Sequence, residues 1–350
     1  MTSQAWSGRV RAALAPAAKT ICLRTGVYAA VRRLNPSRRV AILRYHAICE
    51  PDVPGYADPS ICVTPESFQR HVEYLARNYT VLPLPEIVRM LRDRRPLPSN
   101  AVSITFDDGY ADNLAAAQLL ARHGVSATFY ITAQCVDGES PFWLSELRSL
   151  VFELPGPVLT AVVGGAHHTI RCGTLEERTA AIRQLTKLFK SHPIAVRESV
   201  REQLRVAAGG FNAASPMLTW RNLQEMHRLG MTIGAHTLTH PNLPSAGPVD
   251  AQREIEGAKS RLEEELGTRV TMFSYPNGAA ETYFTPEIQR LVRQAGYEAA
   301  TTSTNGFASA ESDLYALERV RVAERLEDLV FALEIERFAF APTARTYAGA

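Results

Sequence analysis

The chain has 350 residues, 46% of them hydrophobic and 21% charged, a soluble composition with length for one large α/β domain or two average ones. Its net charge of +2 leaves no overall basic footprint of the kind that nucleic-acid binding needs. Its five cysteines are scattered, odd in number and without a CxxC pair, which argues against a disulfide framework and for reduced or buried thiols.

Residues 1–37 are basic, with Arg9, Arg11, Lys19, Arg24, Arg32 and Arg33, and no acidic residue precedes Glu50. The segment lacks the apolar core and small-residue cleavage site of a signal peptide, and no stretch of the chain approaches the ~18 apolar residues of a spanning helix. It is expected to be a helical extension packed on the main domain, with contact to anionic lipid as the alternative. Next, "RVAILRYHAI" (39–48) reads as a short buried strand, followed by a Pro- and Gly-containing loop. "TPESFQRHVEYLARNY" opens like a helix, with Thr64 as cap, Pro65 in the first position, and Phe68, Val72 and Leu75 on one face. Then come a strand ("TVLPL"), a helix ("PEIVRMLRDRR"), a strand ("AVSITF"), a helix closed by Gly124 ("ADNLAAAQLLARHG") and a strand ("SATFYIT").

Residues 141–215 interrupt this rhythm and are expected to form a helical insert. Within it "VVGGAHHTIRC" suggests a hairpin, so the adjacent His167 and His168 diverge and are read as non-catalytic. Alternation then resumes with "TWRNLQEMHRLG" (helix), "MTIGAH" (strand), "VDAQREIEGAKSRLEEELG" (helix), "VTMFSYP" (strand), "TPEIQRLVRQAG" (helix) and "YEAATTS" (strand). Repeated strand and helix with short connections argue for parallel strands in an α/β barrel or a doubly wound sheet. One domain is expected over residues 38–345, carrying the insert and preceded by the extension.

Three strand ends hold polar residues: "ITFDDGY", "IGAHTLTH" and "MFSYPNG". In parallel α/β folds, sites form at the carboxyl ends of strands. Asp107 and Asp108 are neighbours, and neighbours on a strand point to opposite faces, so either one is a turn residue or the two have different tasks. Gly109 allows a tight turn beside them. His236 and His240, four apart, would share one face of a helical turn. Two His and one carboxylate leave coordination positions open, as in a catalytic rather than a structural metal site.

"TFDDGY", "HTLTH" and "FSYPNG" together resemble the polysaccharide deacetylase, or NodB-homology, family over roughly residues 40–322. The resemblance implies a distorted (β/α) barrel and metal-dependent removal of N-acetyl groups from amino sugars. It implies Asp107 as catalytic base and Asp108, His236 and His240 as ligands of a divalent metal, zinc before cobalt or nickel. The family's Arg-x-Pro-Tyr motif is replaced here by Ser274-Tyr275-Pro276-Asn277, and no late Leu-x-His is present. "ILRYH", "YPNG" and "ALERVRV" resemble instead the permuted subgroup that includes poly-N-acetylglucosamine deacetylases of exopolysaccharide synthesis. That likeness makes His46 the candidate general acid, or else a packed strand-end histidine. It makes Arg319 the candidate partner of a catalytic carboxylate, or else a surface or capping arginine.

For the substrate, Tyr110 and Asn277 are expected at the pocket, and Trp143 and Trp220 either stack on sugar or pack in the core. The expected partner is an N-acetylated polymer, oligomer or lipid-linked glycan. Other C–N bonds, O-acetyl esters and a non-catalytic carbohydrate-binding role remain as alternatives. The expected compartment is the cytoplasm, with the basic N-terminal helix at the inner membrane face.

Overall fold

A computed structural model describes residues 16–211, 216–277 and 282–339. The expectations for residues 1–15, for 212–215 at the end of the insert and for 340–345 lie outside the described residues. The strands before the insert are β1 (Ala41–Tyr45), β2 (Thr80–Val81), β3 (Ala101–Phe106) and β4 (Ala127–Ile131). The insert holds β5 (Val158–Val163) and β6 (Ala166–Arg171). After it come β7 (Thr232–Ala235), β8 (Met272–Ser274), β9 (Ala299–Asn305) and β10 (Leu317–Arg321). Parallel pairing runs β1–β10–β9–β8–β7–β4–β3 and closes from β3 back onto β1, which makes a seven-strand (β/α) barrel. β2 adds to the first two residues of β3.

Helices α1 (Pro16–Arg24), α2 (Val27–Leu34), α3 (Pro65–Asn78), α4 (Leu84–Arg92) and α5 (Asn113–Arg122) precede the insert. Within the insert lie α6 (Trp143–Glu153), α7 (Leu175–Ser191) and α8 (Ile194–Ala207). The remaining helices are α9 (Trp220–Arg228), α10 (Leu243–Ala246), α11 (Pro248–Leu266), α12 (Pro286–Gln294) and α13 (Leu326–Glu334).

Alternation along β3 explains the layering. Val102, Ile104 and Phe106 join Phe68, Val72 and Leu75 of α3 and Leu120 of α5 in the main core. Ser103 and Thr105 occupy the other face, and the next residue in that phase is Asp107. At the strand starts, Leu84, Ile87 and Val88 of α4 pack with Ala101, Met272, Ala299 and Leu317, closing that end of the barrel. The carboxyl ends are left for the site. Thr64 caps α3 through its hydroxyl, which accepts from the Ser67 amide at 3.2 Å. The strand expected over "TVLPL" is shorter, because Pro83 has no N–H for a ladder and instead precedes the first residue of α4.

The insert has its own apolar cluster, including Leu147, Leu150, Leu185, Val200 and Leu204. β5 and β6 form an antiparallel hairpin in which His167 lies opposite Val162 and His168 opposite Ala161. α1 and α2 pack on α13, with Tyr28 against Val330 and Phe331, Lys19 paired to Asp328 at 2.8 Å and Arg32 to Glu334 at 3.1 Å. Arg24 and Arg33 are exposed. Among the described residues no helix is long and apolar enough to cross a membrane. The five cysteines are free thiols, although the sulfurs of Cys49 and Cys62 lie 3.3 Å apart.

Candidate active site

β3 ends at Phe106, and its register with β1 sets Tyr45 opposite Phe106 and His46 next to Asp107. The Asp107 amide donates to the Tyr45 carbonyl at 3.1 Å, continuing the ladder by one residue. The chain then turns sharply, with φ of +77° at Asp108 and +89° at Gly109. A Cβ on Gly109 would sit 3.2 Å from Ile131 Cδ1, so both the backbone and the space favour glycine. This turn sends the two carboxylates to different partners.

Asp107 is clamped by Arg319. Nη1 and Nη2 donate to its two carboxylate oxygens at 2.7 Å each, a bidentate pair from a side chain that is 1% exposed. The guanidinium is itself held by the Thr302 carbonyl at 2.7 Å, by Thr105 Oγ1 at 3.2 Å and by Ser274 Oγ at 3.1 Å. Burial alone would raise the Asp107 carboxyl, but Arg319 outweighs it and holds the group well below the usual carboxylate range. His46 Nε2 stands 3.7 Å from Asp107 Oδ2. Burial pushes its imidazole down to about 4 against the opposing pull of Asp108 and Asp107.

Asp108 faces the histidines, its Oδ1 lying 3.5 Å from His236 Nε2 and 3.3 Å from His240 Nε2. The three residues are buried and present ligand atoms within 4.8 Å of one another. His236 Nδ1 donates to the Ser274 carbonyl at 2.7 Å, which leaves Nε2 as the free lone pair. Burial pushes the His240 imidazole down to about 3, the neutral form that a cation needs. The carboxyl of Asp108 would be raised by burial, but His236 and His240 reverse the shift and lower it. One carboxylate and two imidazoles whose ring nitrogens converge fit a divalent cation in an open, catalytic-type site.

The two histidines do not share a helical turn as their spacing suggested. Thr237 adopts φ of +68° and His240 +56°, so "HTLTH" is an irregular loop that folds the rings to a centroid distance of 4.9 Å. Tertiary anchors hold this bend. The Thr239 amide donates to Glu254 at 2.7 Å, and Arg197 of α8 donates to the Thr239 carbonyl at 3.1 Å. Trp143 Nε1 donates to the His240 carbonyl at 3.0 Å.

A cavity of about 720 Å³ opens over these groups and is lined by His46, Asp107, Asp108, His236 and His240 at its base. Tyr110 and Asn277 also line it, as the sequence suggested. The two tryptophans do not. Trp143 is 2% exposed and lies behind His240, and Trp220 starts α9 beneath Arg261, whose guanidinium sits 5.3 Å from its ring. Wall aromatics that the sequence did not single out are Tyr56 and Tyr283. Arg44, two residues before His46 on β1, was likewise missed. It is half-buried near Arg319, and desolvation first, then Arg319, lowers its guanidinium to about 10. Its only signal was the period-2 spacing within "LRYH".

A closed parallel barrel with a clamped carboxylate beside a His–His–Asp cluster at its carboxyl end defines a hydrolase. The family described as polysaccharide deacetylase matches residues 94–300, and the chain belongs to that family and is a carbohydrate deacetylase. YxkH of Bacillus subtilis (strain 168), named for the same family, is 23% identical over 301 residues, covering 85% of this chain and 76% of that protein. The Streptococcus pyogenes deacetylase PplD, solved in complex with acetate, superposes with a TM-score of 0.56 at 20% identity, over 85% of this chain and 99% of that one. IcaB from Ammonifex degensii gives 0.54 at 17% identity, over 85% and 97% of the two chains. Both likenesses are of fold.

Proposed function

We propose that the protein removes N-acetyl groups from N-acetylhexosamine units of a polysaccharide, oligosaccharide or lipid-linked glycan. Asp108, His236 and His240 would hold a divalent cation, zinc before cobalt or nickel. The observation that carries this reading is the division of labour between adjacent carboxylates, Asp107 on Arg319 and Asp108 on two imidazoles. When bound, the cation would lower the pKa of a coordinated water towards ~7 and polarise the acetyl carbonyl.

The chain's own residues supply the proton traffic. Asp107, ionised and oriented by Arg319, accepts the proton of the attacking water. His46 is neutral at rest, takes that proton over the short gap from Asp107, and donates it from Nε2 to the leaving nitrogen. The Tyr110 amide donates to no protein acceptor among the described residues and is offered to the developing oxyanion. Residues 38–345 serve as one catalytic domain in this reading, and the exposed Arg24 and Arg33 are available for contact with an anionic membrane face at the inner surface.

Acetate release from chitooligosaccharides and poly-N-acetylglucosamine by metal-loaded protein tests the proposal. Asp107→Asn should lose about 10²–10⁴ in rate and keep its metal, while Asp108→Asn should lose the metal itself. Near-normal turnover by Asp107→Asn, or no reaction with any acetyl donor, would sink it.

A further inference from the structure

One wall of the cavity carries a charge pattern that a neutral sugar does not use. Arg183, Lys187 and Lys190 of α7 stand at i, i+4 and i+7, on one helical face, and all three line the cavity. The acidic residues of α7 are confined to its first turn, where Glu177 completes a capping box and pairs with Arg171 at 2.7 Å. The other basic residue before the wall, Arg178, turns to the last carbonyls of α6, with 2.8 Å to that of Leu154. Arg183, Lys187 and Lys190 have no carboxylate in ion-pair contact among the described residues.

The negative charge of the cavity is already committed. Asp107 is neutralised by Arg319, Asp108 is shared by two imidazoles, and Asp58 at the cavity rim pairs with Arg148 at 3.8 Å and is also within electrostatic reach of Arg183, so one carboxylate is divided between two cations. Three basic groups on one wall outnumber the carboxylates within their reach, repel one another and focus a positive potential into the cavity, and an anion from outside relieves both effects. On a convex helix such a row would be a solvated face. Here it overlooks the same cavity as Asp107.

We infer that the glycan deacetylated here carries an anionic group, a carboxylate or a phosphate, close to the acetamido sugar, and that Arg183, Lys187 and Lys190 receive it. This rests on the deacetylase reading of the site and names its substrate class. Both anions accept paired N–H bonds from guanidinium and point contacts from ammonium groups.

The test compares kcat/KM for acetate release from three donors. One is a neutral N-acetylglucosamine oligomer, one alternates N-acetylglucosamine with a uronic acid, and one is N-acetylglucosamine bearing a phosphate ester. One anionic donor should exceed the neutral one by about tenfold or more, with the advantage shrinking as salt is added. Which donor responds tells carboxylate from phosphate. In the Arg183→Gln/Lys187→Gln double variant, both sites being exposed, the anionic-to-neutral ratio should fall towards one. A wild-type ratio of one, or a ratio the double variant leaves intact, overturns the inference while acetate release upholds the deacetylase reading. If no donor releases acetate, that reading falls by itself. Fluorescence anisotropy of the three labelled donors on Asp107→Asn protein then still decides the anion preference, and equal affinities overturn it.

Discussion

Replacing Arg319 with Gln removes the charge of the clamp while keeping a polar side chain of similar reach. In the intact protein the guanidinium makes two 2.7 Å bonds to a carboxylate that is 2% exposed, so the variant strands a buried charge. Breaking such a pair costs about 3–5 kcal/mol near neutral pH. The cost depends on pH in a defined direction. With Arg319 present, the folded carboxyl is depressed, so its stabilisation is fully present above the unfolded pKa of about 4 and disappears only at strongly acidic pH. Without Arg319, burial dominates and the folded carboxyl is raised above its unfolded value. The penalty in the variant is therefore largest at neutral pH and shrinks as the pH falls through that raised pKa. Urea unfolding of both proteins at about pH 7 and about pH 4.5 measures the gap and its narrowing. The same shift moves the acidic limb of acetate release to higher pH in the variant. A loss under about 1 kcal/mol that is equal at both pH values would refute the assignment of Arg319 as the group that keeps Asp107 ionised.

His46→Ala should slow amide substrates more than an activated acetyl ester, since only the amide needs its leaving group protonated; equal loss on both removes His46 from the acid role. Gly109→Ala should cost about 1–2 kcal/mol or more, because φ is +89° there and Ile131 crowds the new methyl, and thermal melting reads it. Trp143→Phe deletes the donor to the His240 carbonyl and should weaken metal retention by about tenfold in equilibrium dialysis, and an unchanged affinity would mean the loop holds His240 without it.

The barrel was legible because its strands are short apolar runs between capped helices, with Thr64 and Gly124 marking ends as their chemistry requires. That Asp107 and Asp108 could face different partners was legible from strand alternation and the glycine that follows, but which takes which task came only from the resemblance. Arg319 could be reached only through resemblance, since nothing local in "ALERVRV" distinguishes an inward arginine from a surface one. The loop "HTLTH" was misjudged because spacing describes sequence while its bend is imposed by Glu254, Arg197 and Trp143, all distant in the chain. Trp143 reads in sequence as a sugar platform, but the insert's own apolar cluster buries it. The helical character of the insert was legible, but which face of α7 met the cavity depended on how the insert docks.

The order in which the chain supplies the site has a consequence for its assembly. All three residues of the His–His–Asp cluster are present once the chain has reached His240, whereas the clamp on Asp107 spans 212 residues and arrives with β10, the strand that also closes the ring against β1. Before β10 is in place, Asp108, His236 and His240 have all been supplied while Asp107 still lacks the guanidinium that offsets its burial. Ring closure is therefore the step that completes the Asp107–Arg319 pair, which forms only when the first and last strands have met.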